Sequence, residues 1–234
     1  MTSMKEVEIM ENISLYYFLA GAVLLVFFIE LLVNRQLHLS IWKIVIFTAA
    51  IVPIGAFCGK LMRLIEAGTW IGVSYYGALL IAPLPMIIVG ILLKMKPVET
   101  LMMCAPAGCI ALVFMKIQCI ITGCCYGRIL WYQDNGRPLR FPSQIVEMLV
   151  GIILLFVIMK IIKSENHQKY VYAWFLLLYG STRFFLNLLR DTEPFVLGMS
   201  AGCFWSLISC IIGGGLLYYK FGFKAKKKAA LSKL

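Results

Sequence analysis

QIVEMLVGIILLFVIMKII, residues 144–162, contains nineteen residues and only three polar side chains, Gln144, Glu147 and Lys160. As a helix rising 1.5 Å per residue it would reach about 28 Å, close to the ~30 Å hydrocarbon thickness of a bilayer. A strand of that length is not credible, and a closed membrane β-barrel would show alternating segments of about ten residues instead. The stretch reads as a membrane-crossing helix.

Similar runs lie outward on both sides, near 13–33, 41–57, 72–93, 101–121, 171–189 and 197–219, seven spans in all. The second is the shortest and carries Lys43 near its start. Of the 234 residues, 62% are hydrophobic and 14% charged, against about 25% charged in a soluble domain. The expected class is therefore an all-α integral membrane protein. One membrane domain, 1–219, would be followed by a basic tail, 220–234.

Residues 1–12 set Lys5 against Glu6, Glu8 and Glu11. A cleavable signal peptide would begin basic and have a shorter apolar region, so the first helix is expected to be retained. The tail holds Lys220, Lys224, Lys226, Lys227, Lys228 and Lys233. After a membrane helix this reads as an anchor on anionic lipid, with no nucleic-acid partner.

Seven spans put the two ends on opposite sides. With the start outside and the tail cytoplasmic, the inner segments hold Arg35, Lys43, Lys94, Lys96, Lys160, Lys163, Lys169 and the six tail lysines. The outer segments hold Lys5, Lys60, Arg63, Arg128, Arg137, Arg140 and Arg190. The inner excess obeys the positive-inside rule. Lysine dominates inside and arginine outside. The guanidinium fork suits phosphate oxygens, so an anionic lipid head group would explain the outer arginines; pairing with Asp134, Asp191 or Glu193 is the alternative.

Polar and ionisable groups at membrane depth are costly and usually mark function. Glu30, Lys116, Gln118, Gln144, Glu147, Arg183 and Asn187 are such groups. Gln144 and Glu147 share a helix face, as do Arg183, Asn187 and Arg190, and these stripes are expected to converge on one polar cavity opening outward. Glu30 reads as a structural partner for a basic residue. Pro83 and Pro85 interrupt the third span, which is tolerated where backbone lines a cavity.

Between the fourth and fifth spans runs Thr122-Gly-Cys-Cys-Tyr-Gly-Arg128, then a polar loop to Phe141-Pro-Ser-Gln144. Gly123 and Gly127 would let backbone approach a ligand closely. Eight cysteines occur, at 58, 104, 109, 119, 124, 125, 203 and 210. Most fall in spans, where Cys packs as a small apolar residue. With no Cys-x-x-Cys, no metal site is expected. Cys124 and Cys125 stand apart in the loop; packing, a covalent role and a redox role stay open for them. Trp70, Trp131 and Tyr132 near span ends read as interfacial anchors.

Across residues 72–202 the chain resembles the bacterial prolipoprotein diacylglyceryl transferases. Four pieces occur in family order: Gly72 to Leu80, opening Gly-Val-Ser-Tyr-Tyr-Gly; Lys116 to Arg128, ending Gly-aromatic-Gly-Arg; Phe141-Pro-Ser-Gln-Ile-Val-Glu147; and Tyr179-Gly-Ser-Thr-Arg183 through Arg190-Asp191, followed by Met199-Ser200. Gly123, Gly127, Arg128, Pro142, Gln144, Glu147, Arg183 and Arg190 keep the family pattern. Tyr76 stands where the family usually has His, Lys116-Ile-Gln-Cys119 replaces Arg-Ile-Gly-Asn, and Cys124 and Asn187 replace Glu.

The resemblance implies transfer of a diacylglyceryl group from phosphatidylglycerol to the cysteine thiol of a secreted lipobox precursor, at the outer face of a bacterial cell membrane. Lys116, Arg128, Gln144, Asn187 and Arg190 would then bind phospholipid, and Gly123, Cys124, Cys125 and Gly127 would form the signature turn. A thiol acceptor needs little activation, so Tyr76, Tyr75 or Glu147 could take its proton. Arg183, with Arg128 and Lys116, would stabilise the departing glycerol phosphate, and Glu147 could instead orient Arg183. His38 and His167 fall on the inner side and are not candidates for the base. A relative that binds lipid or a partner without catalysis is the second reading and a lipid transporter the third, although no internal repeat supports a transporter. No P-loop or dinucleotide fingerprint is present, and no cofactor is expected.

Overall fold

The computed structural model describes residues 4–132, 137–190, 194–196 and 198–222, with side chains from residue 20 onward. Asp134, Asp191 and Glu193, the charged side chains of residues 1–12, the tail lysines after Lys220 and the start of the last expected span lie outside the described residues.

Among the described residues seven α-helices follow in order: α1 Met4–Leu37, α2 Ile41–Ala67, α3 Pro83–Leu92, α4 Pro97–Ile121, α5 Ser143–Ile162, α6 Val171–Leu188 and α7 Ala201–Leu217. Five stretches among the described residues are long and apolar enough to cross a membrane: Ala20–Leu37, Ile41–Ala67, Pro97–Ile121, Ser143–Ile162 and Ala201–Phe221. The architecture is that of a helical membrane protein. Helix α6 has 18 residues, but Ser181, Thr182, Arg183 and Asn187 dilute its apolarity.

Two expected spans differ in shape. Helix α2 runs well past residue 57 because chain breakers, not hydropathy, end helices. It stops at Gly68, whose φ of 67° lets its N–H cap the Leu64 carbonyl. Residues 72–93, expected as one span, are broken. Gly72 is left-handed at φ 85°, Gly77–Ile81 forms a π turn, and α3 then begins at Pro83 with only ten residues. Pro83 lacks an N–H and is accommodated at a helix start, not an interior. Ten residues reach about 15 Å.

Leu24, Phe28, Trp42, Phe57, Leu84, Leu92, Phe156 and Phe185 face outward, an apolar girdle that water would not tolerate at this size. Phe47, Met86, Met103, Leu112, Ile158 and Phe175 fill the interior. The fully buried Glu30 accepts from the Thr48 hydroxyl of α2, not from the basic residue expected, because no lysine or arginine among the described residues reaches it. Helices α6 and α7 touch backbone to backbone. A Cβ on Gly180 would lie 2.8 Å from the Ser206 carbonyl oxygen, and one on Gly213 2.6 Å from that of Ala173. Small residues at such crossings let helices approach where lipid supplies no hydrophobic drive.

Two short ribbons sit at the end of the bundle where α4 and α6 finish. Strand β1 Ile129–Tyr132 pairs antiparallel with β2 Pro138–Arg140, and β3 Pro194–Val196 with β4 Met199–Ser200. The opposite end holds the α1–α2 turn at His38 and the α5–α6 connection at His167, whose ring stacks on Phe221 beyond α7.

Candidate functional site

Glu147 lies one turn into α5, 2% exposed. Three cations close on its carboxylate, one each from α4 and α6 and one from just past α6. Lys116 Nζ of α4 is 2.7 Å from Oε2, Arg183 of α6 pairs with the same oxygen, and Arg190 NH1, just past α6, donates to Oε1 at 3.1 Å. All three basic side chains are largely buried. One carboxylate among three cations leaves a surplus of two positive charges in a desolvated place, where a further anion is strongly favoured. The Nε atoms of Arg183 and Arg190 are buried and find no acceptor among the described residues, so donors are left for that anion.

A hydroxyl layer adjoins the cations. Tyr76, buried at the start of the π turn, places its OH 2.5 Å from Ser206 Oγ and donates to the Gly202 carbonyl at 3.2 Å. It is within electrostatic reach of Arg183 and Glu147. Asn187 Nδ2 donates to the same Ser206 Oγ at 3.4 Å. Ser206 was not picked out from the sequence. A lone serine in an apolar helix usually bonds its own backbone, as Ser206 also does to Gly202.

The turn after α4 is fastened to α5 and α6. Gln144 Nε2 donates to the Cys124 carbonyl and Ser143 Oγ to that of Cys125, each at 2.7 Å. Gly127 donates to the Phe141 carbonyl at 3.1 Å and bridges to Arg190, and Arg128 donates its N–H to the Leu189 carbonyl at 2.9 Å. A Cβ on Gly127 would lie 2.5 Å from the Phe141 carbonyl oxygen, which only glycine avoids. Gly123 is left-handed at φ 63°. The helix stripes therefore meet as expected for Lys116, Glu147, Arg183 and Arg190. Gln144 serves the turn, Asn187 joins the hydroxyl layer, and the exposed Arg128 side chain is outside the Glu147 ion pairs. Beside the turn, Ile120, Tyr126, Arg140, Phe141, Gln144 and Ile145 line a mostly apolar open groove of about 520 Å³.

Three of the cysteines come together at the turn. Sγ of Cys119, Cys124 and Cys125 lie within 4.8 Å of one another, with Cys124 exposed. The Cys125 thiol is held well below the ordinary thiol range, chiefly because the Cys119 thiol hydrogen-bonds to it, with Lys116, Arg190 and Cys124 adding to this against burial. The sequence concealed the group because Cys119 fell inside a span and the spacing matched no familiar ligand pattern.

A family model described as prolipoprotein diacylglyceryl transferase matches residues 63–219. A phosphatidylglycerol–prolipoprotein diacylglyceryl transferase 2 from Clostridium perfringens (strain 13 / Type A) is 27% identical over 172 residues, covering 67% of this chain and 65% of the relative. Phosphatidylglycerol–prolipoprotein diacylglyceryl transferases from Geobacter sulfurreducens and Verminephrobacter eiseniae are 30% and 32% identical over 140 and 113 residues. Those two matches cover 57% and 46% of this chain, and 54% and 39% of the relatives. The chain thus spans less than two thirds of the length of each of these three.

Proposed function

We propose, since this chain belongs to the prolipoprotein diacylglyceryl transferase family, that it moves a diacylglyceryl group from phosphatidylglycerol to the cysteine thiol of a prolipoprotein. The carrying observation is the buried surplus of positive charge around Glu147. In this reaction the acceptor sulfur bonds to the terminal glycerol carbon of the diacylglyceryl group, and the bond from that carbon to the phosphate oxygen breaks. The thiol proton leaves to a base or to the departing glycerol phosphate. Negative charge therefore grows on the phosphate as the bond breaks, and pre-placed cations stabilise that moment most.

Arg183 and Arg190 would receive the phosphate on their open Nε sides, with Lys116 adding charge. Glu147 faces three cations, a position that suits an orienting anion better than a proton acceptor. Tyr76, hydrogen-bonded and near Arg183, is the better placed to relay the thiol proton. Gln144 would act through the signature turn, and Asn187 through Ser206 and Tyr76. The exposed Arg128 would meet the lipid head at the rim, and the apolar groove beside Tyr126 would admit the acyl chains from the bilayer. The protein would cross a bacterial cell membrane seven times, α6 and the broken third segment included, with the site facing outward.

The test is transfer of labelled diacylglyceryl from phosphatidylglycerol to a lipobox peptide by the purified protein in lipid. Removal of one preorganised donor typically costs ~10²–10³ in rate, and Arg183→Ala should fall at least that far. Wild-type rates in that variant would remove Arg183 from the mechanism, and an inert wild-type protein would leave a lipid-binding relative.

A further inference from the structure

We propose that Cys119, Cys124 and Cys125 form a three-thiolate site for a thiophilic metal ion of the Cu(I) or Zn(II) class. The site does not depend on the transferase reading.

Three observations carry it. The three Sγ atoms already lie within 4.8 Å of one another. Metal–sulfur bonds of about 2.3 Å put trigonal ligands roughly 4 Å apart, so closure needs shifts of about an ångström or less. The sulfurs come from two pieces of structure held at fixed offset. Cys119 belongs to the last turn of α4, while Cys124 and Cys125 follow in a turn pinned through their carbonyls by Gln144 and Ser143. Cys125 sits at φ 60°, a left-handed conformation uncommon for a residue with a side chain.

The surroundings suit thiolates. The Thr122 hydroxyl lies 3.3 Å from Cys124 Sγ and 2.9 Å from the Gln118 carbonyl, so its one proton is shared between that carbonyl and the sulfur, a polar neighbour for a ligating sulfur. Lys116 and Arg190 supply positive charge near Cys125, offsetting the net negative charge that three thiolates keep around a mono- or divalent ion. Soft sulfur ligands select Cu(I) and Zn(II) over hard cations. Exposure of Cys124 gives an entry path, with the fourth position of a tetrahedral ion open to water or ligand. A disulfide is the rival, but it would use only two of three converging sulfurs.

The purified full-length protein, reduced with a phosphine and stripped by chelator, is titrated with Cd²⁺ while the thiolate-to-cadmium charge-transfer band is followed. Native mass spectrometry then follows Zn²⁺ and Cu⁺. One ion per chain is expected, with alkylation of the three sulfurs, mapped by peptide mass, slowed at least tenfold by metal. Cys119→Ser, Cys124→Ser and Cys125→Ser should each weaken affinity at least 100-fold, and Cys203→Ser should leave it unchanged. Absence of the band in the wild-type protein, metal uptake surviving the triple Ser variant, or a disulfide among these cysteines with no uptake after reduction overturns the proposal. The wild-type alkylation map decides even where a variant misfolds.

Discussion

Glu147 determines what its neighbours can do. Three buried cations repel one another, and their packing between α4, α5 and α6 is tolerable only because a carboxylate lies between them. Breaking a buried pair by removing one partner typically costs about 3–5 kcal/mol. Glu147→Gln should therefore lower the melting temperature in detergent and lose transfer together. Unchanged melting with transfer abolished would instead make Glu147 the proton acceptor. This cluster was legible in the sequence because ionisable residues at membrane depth are rare and their helical spacing gives their face. Less legible were its companions. Ser206 and the Glu30–Thr48 contact rest on small hydroxyls that carry no sequence signal, and Cys119 looked like every other cysteine in an apolar run.

At the scale of elements, the site depends on how a short turn is tied to three helices. Hydrogen bonds from Gln144, Ser143, Gly127 and Arg128 run between the turn, the start of α5 and the end of α6. Gly127 is the tightest point. A methyl there meets the Phe141 carbonyl oxygen at 2.5 Å and its Cβ at 2.7 Å, on a residue held by backbone hydrogen bonds to Gly127 and Arg128, so neither can yield cheaply. Overpacking of this kind costs about 1–3 kcal/mol. Gly127→Ala should lose several degrees of melting temperature and most transfer, whereas Gly215→Ala, with open space around it, should do neither. Equal behaviour of the two variants would show that the turn is not a fixed part of the site. Helix existence was readable from apolar length, but ends were not. Hydropathy falls away gradually, whereas Gly68 and Pro83 stop or break the backbone at single positions, which is why α2 overran its expected end and the third span divided.

For the whole molecule, the distribution of charge and the position of the site have to agree. The ion-pair cluster, the cysteine turn and both ribbons gather where α4 and α6 end and α5 and α7 begin, while Lys94, Lys96, Lys163, Lys169 and Lys220 mark the other end of the bundle. Lysine-rich segments stay cytoplasmic when a chain inserts, which would turn the cluster outward, toward the leaflet where a secreted precursor emerges. An arginine-rich end held outside opposes that rule and needs a compensating anion, and a phospholipid phosphate is one the membrane itself supplies. Reporter fusions decide the matter. Alkaline phosphatase joined after Tyr132 should be active and a fluorescent protein there dark, with the pattern reversed for fusions after Ser164. The opposite pattern at both junctions would put the cations in the cytoplasm, out of reach of a secreted acceptor, and the transferase reading would fail even if the pocket bound phospholipid.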